Sequence, residues 1–266
     1  MPANKQRQTK SQRREAAQRA AEELAKKQAA TERRNRLIVV GASLLVLVLV
    51  IAAGVTIWRA GQKTLLTDFD GEVPAGSTDT GAFTFGAEGV AGTENSGATE
   101  VEIYLDFMCP GCGQLDRAHR EDIRTMISNG DATLVVHPLA FLDRLAMGAE
   151  YSTRSVNALA TVADQSPEHA LDFMDALFDN QPAENTEGLS DEQMAELAVG
   201  VGVPQEVADS FADQIFREWA GVAADQAQVD GVTGTPVVMI DGERWTGEWA
   251  TPGTLLEEVT GGGAAD

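Results

Sequence analysis

Residues 37–58 form a run of 22 positions without one ionisable side chain, rich in Leu and Val. At about 1.5 Å of rise per helical residue the run reaches roughly 33 Å, enough for the hydrocarbon core of a bilayer. A buried helix of a soluble domain fits less well, because no charged residue interrupts the run. A cleaved secretory leader has a shorter apolar core and a shorter basic head, although Ala52-Ala53-Gly54 offers a weak cleavage site. Charge is split across the run. Residues 1–36 hold 11 Lys/Arg and 4 Asp/Glu, a net of +7, whereas residues 59–266 hold 9 and 37, a net of −28. Arg33, Arg34 and Arg36 abut one end and Trp58 marks the other. The positive-inside rule then predicts a basic cytoplasmic tail (1–36), a single transmembrane anchor in the lipid bilayer (37–58) and an exterior remainder. The overall charge of −21 argues against nucleic acid as a partner, and two cysteines cannot staple a mini-protein.

Residues 11–36 are rich in Ala, Gln, Glu, Lys and Arg, which predicts a solvated basic helix or tail; adsorption to anionic lipid is the sharper alternative. Residues 59–81 are Gly-, Thr- and Ser-rich and read as a flexible linker. A folded domain is expected over 82–260. Its first strand lies at 82–85. Val101, Ile103, Leu105 and Phe107 then alternate with Glu102, Tyr104 and Asp106, the period of a strand. Pro110 to Asn129 reads as a helix closed by Gly130, and Thr133 to Val136 as a strand closed by Pro138. Residues 143–229 carry only helical periodicity. Pro236 to Ile240 is a strand that Asp241-Gly242 turns into a hairpin partner at Arg244 to Thr246. Thr251 and Pro252 are expected to start a last helix, followed by a loose tail over 261–266. The order β-α-β, helical block, β-β-α makes an α/β domain.

Both cysteines lie in Cys109-Pro110-Gly111-Cys112. Two cysteines scattered at random over such a length would fall three apart on the order of once in a hundred chains. Cys109 sits where a strand hands over to a helix, so its sulfur meets the free N–H groups and positive end of that helix. These favour the thiolate, which is the nucleophile. Cys112, one turn in, is expected to be less exposed and within reach, which suits attack by one sulfur and resolution by the other. A structural disulfide remains a weaker alternative, because so short a loop gains little. A zinc knuckle is another; it needs four ligands, and His119 and His137 stand at no established spacing. Free buried thiols are disfavoured by an oxidising exterior. His119 and His169 read as solvated surface residues.

The chain resembles the DsbA-like thiol–disulfide oxidoreductases of the thioredoxin superfamily, in particular the membrane-anchored exported forms of Gram-positive and actinobacterial type. The residues that carry the resemblance are Tyr104 to Cys112, Leu177-Phe178-Asp179-Asn180-Gln181-Pro182 and Gly231-Val232-Thr233-Gly234-Thr235-Pro236. The resemblance implies a thioredoxin fold with an inserted all-helical subdomain over about 143–229. It implies Cys109 and Cys112 as the redox pair, a cis Pro236, and Thr235 as the residue that pairs with substrate backbone. It implies oxidation of unfolded exported proteins with no metal or organic cofactor, and re-oxidation by a quinone-linked membrane protein of the DsbB or vitamin K epoxide reductase type. Two departures stand out. The dipeptide is Pro-Gly rather than Pro-His, and the family's buried carboxylate six residues before the first cysteine is Ile103 here. Asp106 is nearer, as a substitute proton acceptor or, on the better-supported reading, a satisfied strand-end acid. The rivals are an exported reductase or cytochrome-maturation thiol donor, and a redox-inert extracellular binding domain.

Overall fold

The computed structural model describes residues 64–261 throughout, and scattered helical positions between 19 and 54. The chain divides into two units, Met1–Lys63 and Thr64–Asp266. In the first, the described positions of the apolar run, Leu45 to Ile51 among them, are helical and exposed. The rest of the expected basic tail and transmembrane helix lies outside the described residues, as do residues 262–266. Among the described residues no helix is long and apolar enough to cross a membrane.

The second unit is built on a five-stranded sheet in the order β1-β3-β2-β4-β5. β2 (Thr99–Leu105) and β3 (Ala132–Pro138) run parallel, with Ile103 opposite Val136. Helix α1 (Pro110–Asn129) connects them. It stops at Gly130, whose φ of 79° lets its N–H return to the carbonyls of Met126 and Ile127. β1 (Phe83–Phe85) lies antiparallel on β3, and β4 (Val237–Ile240) antiparallel on β2. β5 (Glu243–Arg244) closes a hairpin through Asp241 and Gly242, both at positive φ (48° and 78°), as a two-residue primed turn requires. Val101, Ile103 and Leu105 bury against Leu115, Ile123, Met126 and Ile127 of α1. Tyr104, on the alternate positions, packs with Leu139, Ala227, Val232 and Val237.

Between β3 and β4 come α2 (Tyr151–Gln165), α3 (Ala170–Asp179), α4 (Asp191–Gly200), α5 (Gln205–Asp209) and α6 (Arg217–Val229). Ser190 and Gln193 form a capping box at the start of α4. The buried amide of Asn157 donates to the Phe211 carbonyl at 3.1 Å and accepts from Phe216 N–H at 3.0 Å, which ties α2 to the approach of α6. Trp219 of α6 reaches the sheet at Phe83, ring centroids 5.5 Å apart.

Three expectations differ from the structure. Of the linker span 59–81, residues 64–81 lie on the helical block: Leu66 is buried, Leu65 N–H donates to Gln226 and Ala75 N–H to Asp164. β2 ends at Leu105, so Asp106 and Phe107 belong to the turn before α1. The last helix, α7 (Thr254–Gly261), starts beyond Thr251, because Gly253 adopts a φ of 87° and its N–H is held by Asp122.

Two arginines fasten α1 to α3. Arg120 pairs with Asp116, with Asp175 at 3.3 Å and with Asp179 at 2.9 Å; Arg124 pairs with Asp175 and with Asp172 at 2.6 Å. Burial outweighs Arg120 at Asp116 and pushes its carboxyl up to about 6. The folded state therefore holds a proton on Asp116 that the unfolded chain releases, and this group's contribution to stability is lost as pH rises through about 6. Arg120→Ala leaves Asp116 without its cation. We expect it to cost about 3 kcal/mol near neutral pH, and less at about pH 5, where Asp116 is buried as the neutral acid. Urea denaturation at the two pH values measures both.

Candidate active site at the strand-to-helix junction

The turn after β2 delivers Cys109 to α1. Cys109 N–H donates to the Asp106 carbonyl at 2.9 Å, and Cys109 is the N-cap residue, extended at φ −75° and ψ 116°. Pro110 takes the first helical position, where its missing N–H is not needed. The first-turn N–H groups of Cys112 and Gly113 close on the Cys109 carbonyl at 3.0 and 3.2 Å. Cys112 is buried one turn in, and its sulfur accepts from Asp106 N–H at 3.5 Å. Both stand as free thiols. Facing them is the Thr235-Pro236 bond, which is cis. The Cys109 thiol donates to the Thr235 carbonyl at 3.4 Å. All four residues singled out in the sequence thus meet at one place.

The two sulfurs titrate apart. A hydrogen bond from the Cys112 thiol draws the Cys109 pKa down to about 6; burial opposes it, and the Thr235 side chain and the backbone N–H groups of Cys112 and Gly111 add to it. Cys112 is pushed well up, first by burial and then by its neighbour Cys109. Such a pair suits attack by the Cys109 sulfur and resolution by a protonated Cys112. A groove of about 640 Å³ opens beside Cys109, walled by Phe141, Leu142, Gln228, Thr233 and Thr235.

Both histidines weighed as zinc ligands make contacts of their own. His119 is fully buried, not solvated: its Nε2 bonds the Trp249 carbonyl at 2.9 Å and its ring meets Trp245 edge-on. His137 stacks on Tyr104 with centroids 4.0 Å apart and pairs with Glu102 at 3.4 Å. His169 is partly buried and bonded to Ser166. Among the described residues no three His, Cys, Asp or Glu side chains group as metal ligands. Asp106 accepts four hydrogen bonds and is fully buried, as a satisfied acid would be.

Two contributors carried no assigned role in the sequence. Gln181, just past α3, donates from Nε2 to the carbonyls of Phe107 at 3.1 Å and Cys109 at 2.8 Å. A Cβ at Gly113 would stand 2.2 Å from its Oε1, so the glycine makes room for this clamp. Trp249 closes the other side. A Cβ at Gly111 would lie 3.0 Å from Pro236 Cδ, a tight approach, and in ordinary contact with the Trp249 ring at 3.6 Å. Gln181 was visible as part of a matched motif; Trp249 had no local mark. In the reduced protein we expect iodoacetamide to alkylate Cys109 with a half-maximal rate near pH 6, and Cys112 to stay unmodified below about pH 9; mass spectrometry across pH measures both.

Comparison with known proteins agrees with this geometry. A thioredoxin family model matches residues 86–256. The solved MdbA protein of Actinomyces oris, a thiol–disulfide oxidoreductase, is 26% identical at a TM-score of 0.60, covering 72% of this chain and 93% of its own. The disulfide bond oxidoreductase DsbG of Mycobacterium tuberculosis is 30% identical at 0.54, covering 64% and 83%. DsbA of the same organism is 28% identical at 0.57, covering 68% and 93%. Among curated proteins, serine/threonine-protein kinase PknE of Mycobacterium tuberculosis is 37% identical over 108 residues, and the match spans 39% of this chain but only 19% of the kinase. With the cysteine pair, the cis-proline loop and the helical insertion in place, the chain belongs to the thioredoxin family, among its DsbA-like thiol–disulfide oxidoreductases.

Proposed function

We propose that this chain is an exported, membrane-anchored disulfide oxidase for unfolded proteins. The observation that carries the reading is the site geometry: Cys109 stands at the start of α1, Cys112 is buried one turn in, and the cis Thr235-Pro236 bond faces them. In the oxidised enzyme a substrate thiolate attacks Cys109 Sγ. The Cys109–Cys112 bond breaks, and Cys112 leaves and takes a proton. A mixed disulfide remains at Cys109, with the substrate backbone along Thr235 and Pro236. A second substrate thiolate then attacks the substrate's own sulfur, and Cys109 leaves as thiolate. Two electrons have passed from the substrate dithiol to the enzyme. A stabilised Cys109 thiolate makes that last departure easy and favours the reduced enzyme, which is what a disulfide donor needs.

The uncharged run over 37–58 and the change from +7 to −28 across it support an anchor with the domain outside. The proposed arrangement is a basic tail, the anchor and the catalytic domain. Re-oxidation falls to a quinone-linked membrane protein of DsbB or vitamin K epoxide reductase type, by resemblance. Anchoring both in one bilayer raises their effective concentration.

Equilibration of the pair with glutathione tests the direction. We expect a potential of about −120 to −180 mV; a value near about −270 mV would turn the reading to a reductase. In the same assay Cys112→Ser should accumulate the mixed disulfide and Cys109→Ser should form none.

A further inference from the structure

Asp106 is fully buried at the joint between β2 and α1, and each of its carboxylate oxygens takes two donors. Oδ1 accepts from Met108 N–H at 2.8 Å and from the Ser152 hydroxyl at 2.8 Å. Oδ2 accepts from the N–H groups of Phe141 and Leu142, both at 2.9 Å. Three segments therefore meet on one side chain: the turn into α1, the loop after β3, and the first turn of α2. A backbone N–H cannot turn round to accept, and each oxygen faces at least one. An amide of the same shape, in either flip, would aim its NH2 at a backbone N–H. The slot fits an acceptor-only group, and the ionised carboxylate is that group. Burial pushes its pKa up to about 6 while these hydrogen bonds hold it down, so it is ionised at neutral pH.

The partners show what the carboxylate holds in place. Met108 precedes Cys109, and the Cys109 N–H closes the same turn on the Asp106 carbonyl at 2.9 Å. Asp106 N–H reaches the Cys112 sulfur at 3.5 Å. Phe141 and Leu142 form one wall of the groove beside Cys109. Both oxygens are saturated and neither is bonded to a sulfur, so the group is not placed as a proton acceptor.

We propose that Asp106 is a positioning residue of the redox site: its ionised carboxylate sets the Cys109 sulfur at the start of α1 and fixes the 141–142 wall of the adjoining groove. The proposal rests on the reading of Cys109 as the exchanging thiol. The test compares the full chain with Asp106→Asn and Ser152→Ala. The readouts are the pH profile of Cys109 alkylation, and KM and kcat for oxidation of a fluorogenic dicysteine peptide. Asp106→Asn should move the alkylation half-point up by about one pH unit, a roughly tenfold lower thiolate fraction below it, and raise KM several-fold. Ser152→Ala, which removes a single donor, should move both in the same direction by about twofold. If both variants keep the wild-type half-point and KM and merely melt earlier, Asp106 is only structural and the proposal is overturned. If Asp106→Asn does not fold, Ser152→Ala decides: an unchanged profile and KM overturn the proposal. If the wild-type chain oxidises no peptide, the oxidase reading fails, while the alkylation profiles still judge Asp106.

Discussion

The first N–H groups of a helix are short of partners, and α1 turns that of Gly111 to the Cys109 sulfur and shares that of Cys112 between the sulfur and the Cys109 carbonyl. The end of a helix is worth about 0.3–1 kcal/mol to an exposed anion, and about 2 kcal/mol in sheltered geometry. One pKa unit corresponds to about 1.4 kcal/mol, so a fall from about 9 to about 6 exceeds what the helix end supplies. Direct hydrogen bonds, that of the Cys112 thiol first, supply the rest. Those bonds depend on where the sulfur sits, and much of the domain serves to keep it there.

That service is visible along α1, which is held on two sides. On one, Arg120 and Arg124 bind the acids of α3. On the other, His119 holds the Trp249 carbonyl and Asp122 holds the Gly253 N–H, so the loop before α7 is attached to the helix. The same loop places the Trp249 ring beside Gly111. The helix that carries the cysteines is thus the hub on which the sheet core, the helical insertion and the last loop all close.

What could be read from the sequence was what short-range chemistry decides. The two-residue period of Val101, Ile103 and Leu105 marks β2, Pro110 and Gly130 bracket α1, and Asp241-Gly242 sets the hairpin. The cysteine spacing marked the site, and the family resemblance supplied the cis bond at Pro236. The parts that escaped are non-local. His119 sits among Arg117, Arg120 and Glu121 and looks solvated, but a loop 130 residues away covers it. Asp106 extends an alternating pattern, yet its partners lie 35, 36 and 46 residues on as well as at Met108. The polar look of 59–81 hid Leu66, which packs into the core.

The reactive sulfur is completed late. Gln181 lies 72 residues beyond Cys109 and Thr235 lies 126 beyond it. Synthesis at about 5–20 residues per second leaves roughly 6–25 s between the appearance of the cysteines and that of Thr235. Through that interval Cys109 lacks the Thr235 contact, and for the first 72 residues of it the Gln181 clamp as well. The reactive geometry is therefore a property of the finished domain, assembled from segments far apart in the chain, and not of the Cys-Pro-Gly-Cys stretch alone.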